Sequence, residues 1–171
     1  MRAITSEADS LKAQFSHADV VTSYQNQGNP LDLDRQSLES VASAAIRTAS
    51  DLKAKIIICI TEEGSTARAI AKMRPNMPVL TFCGSAAVAR QLQFHRALYP
   101  MLMPDWSIEE NWAHITSKRS GEIRAEALRT AQEAGWVKAG DQVVIMDTKQ
   151  GSSTGKHQFR TNLLVLTIGQ D

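Results

Sequence analysis

A chain of 171 residues, 43% of them hydrophobic, is long enough to bury one core and too short for a large catalytic barrel plus a second domain. Its 19 basic and 18 acidic side chains nearly cancel, and no run of like charge forms a tail, so nucleic-acid and membrane-surface roles lack electrostatic support. No apolar stretch approaches the roughly 20 residues of a membrane span, and the first residues lack an apolar leader core, so a cytoplasmic protein is expected.

Residues 1–33 read as a short helix over 6–15 followed by a polar linker with Gly28, Asn29 and Pro30. The domain proper is expected at 34–171. Asp34 or Ser37 is placed to cap a helix in which Leu38, Val41, Ala42, Ala45, Ile46 and Ala49 recur at helical spacing as far as about Leu52. Residues 55–60 form a continuous β-branched run, the pattern of a strand covered on both faces. The order strand, loop, helix then repeats, with a strand predicted at 78–83 and a helix at 85–94. A short third strand at 98–103 contains Pro100, which places it at an edge. Residues 105–119, with Trp106 and Trp112, suit either a helix or a packed loop. A helix is predicted at 120–136 with Gly135 as its stop signal, a fourth strand at 142–147, a flexible loop at 149–158 and a fifth strand at 159–168 returning antiparallel. Strands alternating with helices imply a three-layer α/β/α fold around a mostly parallel five-stranded sheet whose last strand is antiparallel.

Cys59 and Cys83 lie in apolar runs away from any metal-ligand spacing and are expected as buried, reduced thiols. The four histidines are far apart in sequence, and no nucleophile, paired-carboxylate or metal constellation stands out. In open α/β sheets ligands bind beyond the carboxyl ends of strands, where connections depart in opposite directions. Thr61, Glu62, Glu63, Gly64, Ser65 and Thr66 occupy such a place. Their hydroxyls and N–H groups suit a phosphate at a helix N-terminus, and the alternative is that Ser65 or Thr66 only caps the helix. Glu62 and Glu63 repel a phosphate but suit the helix dipole as first-turn residues. A second glycine-rich stretch, Gly151, Ser152, Ser153, Thr154, Gly155, Lys156 and His157, lacks the Walker spacing and has no helix after it. It reads as a hairpin loop whose side chains close over an anion if the two strands lie side by side.

The segment Gly64-Ser65-Thr66-Ala67-Arg68-Ala69-Ile70-Ala71-Lys72-Met73-Arg74-Pro75 resembles the G-x-[ST]-A-R-x-[IV]-[AS]-K-[YF]-R-P pattern of the pyruvate kinase C-terminal domain, with Met73 where an aromatic is usual. In the same order, 40–49, 88–92 and 139–144 resemble that domain too, and 6–9 resembles the end of the helix leaving the catalytic barrel. The resemblance implies a regulatory and oligomerising domain, with a sugar phosphate effector between Thr61–Thr66 and the 151–158 loop. It further implies tetramers and a partner barrel that transfers phosphate from phosphoenolpyruvate to ADP with Mg²⁺ and K⁺. No cofactor is expected in this domain. Trp112, near the basic stretch from Lys118 to Arg124, is a candidate effector contact, and so is Arg124, which stands beside Ile123, the position that often supplies the Arg for a second phosphate in the family. Two glutamates in the phosphate loop argue against the usual bisphosphate effector. A freestanding phosphometabolite-binding module of the same fold is the alternative reading.

Overall fold

The protein is represented by a computed structural model that describes residues 33–103, 117–153 and 156–169, with side chains at 36–103, 120–148 and 161–169. The elements follow as α1 (Leu33–Asp51), β1 (Ile56–Ile60), α2 (Ser65–Lys72), β2 (Val79–Cys83), α3 (Ala86–Leu92), β3 (Leu98–Leu102), α4 (Ser117–Glu133), β4 (Gln142–Ser153) and β5 (Lys156–Thr167). The sheet order is β3-β2-β1-β4-β5. The first four strands run parallel, and β5 returns antiparallel against β4.

Every residue of β1 and β2 is buried, which accounts for their unbroken apolar character. Side chains alternate between two cores because successive residues of a strand face opposite ways. Ile57, Cys59, Val79, Val144 and Met146 pack with Ala42, Ala45, Ile46 and Ala49 of α1, Ala67 and Ile70 of α2, and Leu92 of α3. Ile56, Ile58, Ile60, Leu80, Phe82, Val143 and Ile145 face Ile123, Ala127 and Ala131 of α4. The α4 residues recur at i, i+4, i+8 and so share one face, while Ala134 is exposed beyond the helix end.

Two helix ends close in the same way. After α4, Trp136 N–H donates to the Ala131 carbonyl at 2.9 Å and Gly135 N–H to Gln132 at 2.9 Å, with Gly135 at φ +74°. This Schellman pair satisfies two carbonyls the helix would otherwise orphan, as the glycine signal implied. Ala54 and Lys53 repeat it after α1, bonding to Ala49 and Ser50, with Lys53 at φ +53°.

Some boundaries differ from the sequence-based expectation. Helix α1 begins at Leu33, ahead of both predicted caps, and α4 starts at Ser117 and ends at Glu133, ahead of Trp136. The larger correction concerns 149–153 and 156–158, which are strand: β4 and β5 continue as a two-stranded ribbon as far as the pair Ser153 and Lys156. Gly and Ser weaken a strand, but a hairpin already in register gains ladder bonds with each added pair, and Thr148 and Thr161 stabilise its base by a hydroxyl contact of 3.2 Å.

Candidate functional site at the carboxyl end of the sheet

The chain leaves β1 toward β2 on one side, while α4 carries it back from β3 to β4 on the other. The β1–β4 boundary is therefore the point at which connections diverge, and β4 opposes β1 up to the pair Ile60 and Asp147. Thr61 continues straight from β1, its N–H bonded to the Phe82 carbonyl at 3.0 Å. Its hydroxyl is buried and accepts the N–H of Gly64 at 3.1 Å, which draws the loop into a tight turn.

Gly64 is the residue that precedes α2, with φ +82°, a left-handed conformation that favours glycine. Its carbonyl accepts the N–H of Arg68 at 2.9 Å and opens the helix. Among the described residues no side chain caps this end, and the boundary position that Ser65 or Thr66 was expected to hold belongs to Gly64. Both lie inside the first turn, because Gly64 has taken the boundary position. Ser65 is half-buried; Thr66 is 1% exposed and its Oγ1 has no hydrogen-bond partner among the described residues. First-turn N–H groups of a helix lack intrahelical acceptors and carry the positive end of its dipole.

Glu62 and Glu63 are exposed and precede the helix, so they are not the first-turn residues they were expected to be. Glu62 keeps much of its side chain in solvent, and the partial desolvation of its carboxyl first, and the charge of Glu63 second, raises it above its ordinary value of 4.5. A cation outside the expected site residues lies beside this loop: Arg68 folds back and donates to the Glu63 carbonyl at 3.0 Å. The signal for it was its spacing of four residues from Gly64, one turn into the helix.

On the other face, Asp147 is buried at the end of the shared β1–β4 stretch. Arg124 of α4 donates through Nε to its Oδ2, and Asn162 of β5 donates to Oδ1 at 2.5 Å. The charge of Arg124 is thus balanced inside the protein by Asp147, and the neighbouring Ile123 is buried in the core. Hairpin register sets Asn162 opposite Asp147, and only the packing of α4 adds Arg124. Gly151, Ser152, Ser153, Lys156 and His157 pair with one another or with Gln158 along the ribbon, beyond the last β1–β4 pair. At about 3.3 Å per residue, Ser152 is roughly 16 Å along the strand from Asp147. Thr154, Gly155 and Trp112 lie outside the described residues. Cys59 and Cys83 are both buried free thiols, and burial pushes the Cys59 thiol far up. No helix among the described residues is long and apolar enough to cross a membrane.

A doubly covered, mostly parallel sheet with a tight Gly-turn into a helix at its divergence point defines an α/β domain with a polar rim at β1, β4 and α2. The match to known proteins is specific: the pyruvate kinase alpha/beta domain covers residues 39–166, and the chain belongs to that family. It is 37% identical over 128 residues to a cytosolic isozyme of pyruvate kinase from Glycine max, covering 67% of this chain and 24% of that protein. Pyruvate kinase 2, cytosolic, from Oryza sativa subsp. indica is 37% identical over 133 residues, 70% of this chain and 24% of its own length. Among solved structures, Cryptosporidium parvum pyruvate kinase in complex with ADP superimposes with a TM-score of 0.64 at 23% identity, covering 90% of this chain and 27% of that one, and so shares the fold. The chain spans about a quarter of the length of the relatives it matches.

Proposed function

We propose that this chain serves as the regulatory and assembly domain of a pyruvate kinase, and that the rim at Thr61–Thr66 holds a small metabolite through one phosphate group. The observation that carries the pocket is Thr66: a buried hydroxyl without a partner, in the first turn of a helix whose approach is opened by a left-handed glycine. A phosphate oxygen supplies the acceptor that this hydroxyl and the first-turn N–H groups lack. Arg68 adds a cation, and Glu62 and Glu63 weaken the site and disfavour ligands with several negative charges.

Transfer of phosphate from phosphoenolpyruvate to ADP, with its Mg²⁺ and K⁺, is assigned to a barrel domain and not to residues of this chain. Assembly into oligomers is supported by β5, an edge strand that exposes Val165 and Leu166. Similarity to cytosolic isozymes supports a cytoplasmic setting.

Calorimetry of this chain with inorganic phosphate, sugar monophosphates and fructose 1,6-bisphosphate tests the reading. Weak binding of phosphate and of a monophosphate is expected, with no advantage for the bisphosphate. Replacing Glu62→Lys together with Glu63→Ser should strengthen binding of all three. Absence of phosphate binding by both proteins rules the pocket out, and low-micromolar binding of the bisphosphate by the unaltered chain overturns the preference for one phosphate.

A further inference from the structure

We propose that Asp147 determines the ligand specificity of this pocket, by holding Arg124 in an internal ion pair and so withholding the cation that a second phosphate group requires. The inference rests on the reading of the rim as an anion site. A ligand anionic at both ends needs a cationic or N–H contact at each end. The first turn of α2 serves one. Register sets Asp147 opposite Ile60, the residue immediately before Thr61, and α4 delivers Arg124 to that same position.

There the guanidinium meets a carboxylate whose side chain is only 4% exposed, while its own is 23% exposed. Both carboxylate oxygens are engaged, Oδ2 by Arg124 and Oδ1 by Asn162. An arriving phosphate would meet a guanidinium whose charge Asp147 already neutralises, and drawing Arg124 away would leave a buried carboxylate with a single neutral donor. The pair is neutral as it stands, and three elements, α4, β4 and β5, hold it in place. Arg68 is no substitute, since it belongs to the α2 side of the rim and is tied to the Glu63 carbonyl.

The decisive substitution is Asp147→Asn, which keeps an acceptor for Asn162 and frees the charge of Arg124. Calorimetry with inorganic phosphate and with fructose 1,6-bisphosphate should show bisphosphate affinity increased roughly tenfold over the unaltered chain, with phosphate affinity changed less than about twofold. Combining Asp147→Asn with Arg124→Gln should abolish the gain. An unaltered bisphosphate affinity in Asp147→Asn, or a gain that persists in the double variant, overturns the proposal. Failure of the unaltered chain and of the Glu62→Lys, Glu63→Ser protein to bind inorganic phosphate overturns the pocket reading and this inference together. A readout on the unaltered chain covers the case in which the single variant does not fold. The Nε–H resonance of Arg124 should stay in place when inorganic phosphate or the bisphosphate is added, and movement of that resonance on binding contradicts the ion pair's role.

Discussion

The guanidinium of Arg68 donates to the carbonyl of Glu63 and in doing so occupies the space over Gly64, where an added Cβ would stand 2.9 Å from Arg68 Nη1. The same Cβ would approach Leu92 Cδ2 at 3.2 Å and Val88 Cγ1 at 3.3 Å, and the backbone there is at φ +82°. Gly64→Ala should therefore lose about 2 kcal/mol of stability, from left-handed strain plus displacement of Arg68 and the α3 side chains. Urea denaturation measures this, and a loss below about 0.5 kcal/mol would mean that the turn relaxes without effort.

Thr66→Val separates a ligand-binding hydroxyl from a structural one. A buried hydroxyl with no partner costs desolvation energy that valine, of similar shape, does not, so stability should rise by about 0.5–1 kcal/mol. Phosphate affinity should fall roughly fivefold over the same substitution. Reduced stability with unchanged affinity would place a hydrogen-bond partner for Thr66 inside the protein and remove the main support for the pocket.

Glu62 predicts a pH dependence of known sign. Its folded carboxyl holds a proton more tightly than the unfolded one, because of partial desolvation first and Glu63 second. Folding therefore takes up protons in this range, and the contribution of Glu62 to stability is full below its ordinary value of 4.5 and is lost as pH rises through the higher folded value. Glu62→Gln should flatten that decline and be the more stable protein at pH 7. Thermal melts of both proteins between about pH 4 and pH 7 give the comparison, and parallel curves would contradict it.

Lys53 occupies the left-handed position after α1 that Gly135 occupies after α4, with the same pair of backbone bonds around it. Its side chain is exposed, so nothing in its contacts opposes replacement. Lys53→Gly should raise stability by about 0.5–1 kcal/mol by relieving Cβ strain in the cap. An unchanged or lowered denaturation midpoint would show that the extra freedom of glycine in the unfolded chain outweighs the relief.

Periodicity made α1 legible because Ala42, Ala45 and Ala49 are spaced for one buried face, and Gly135 marked the end of α4 because only a local backbone requirement was at stake. The strand, turn and helix around Gly64 were legible for the same reason. The extension of β4 and β5 was not, since Gly151, Ser152 and Ser153 look like loop residues until their partners across the hairpin are known. Residues of the resemblance were legible by position but not by availability: Ile123 is buried in the core, and Arg124 is already bonded to Asp147.

The amino-acid sequence by itself determined the alternation of strands and helices, the family, and a glycine turn at the head of α2, because each depends on neighbours within a few residues. The tertiary structure decided which charges at the rim are free. Arg124 and Asp147 stand 23 residues apart, so their mutual neutralisation exists only once α4 packs against β4, while Asn162, opposite Asp147 across the β4–β5 hairpin, adds a neutral donor. Whether a charged side chain meets a ligand or another residue of the protein is fixed by that packing, since a buried carboxylate must find its counter-charge among the groups that fold around it.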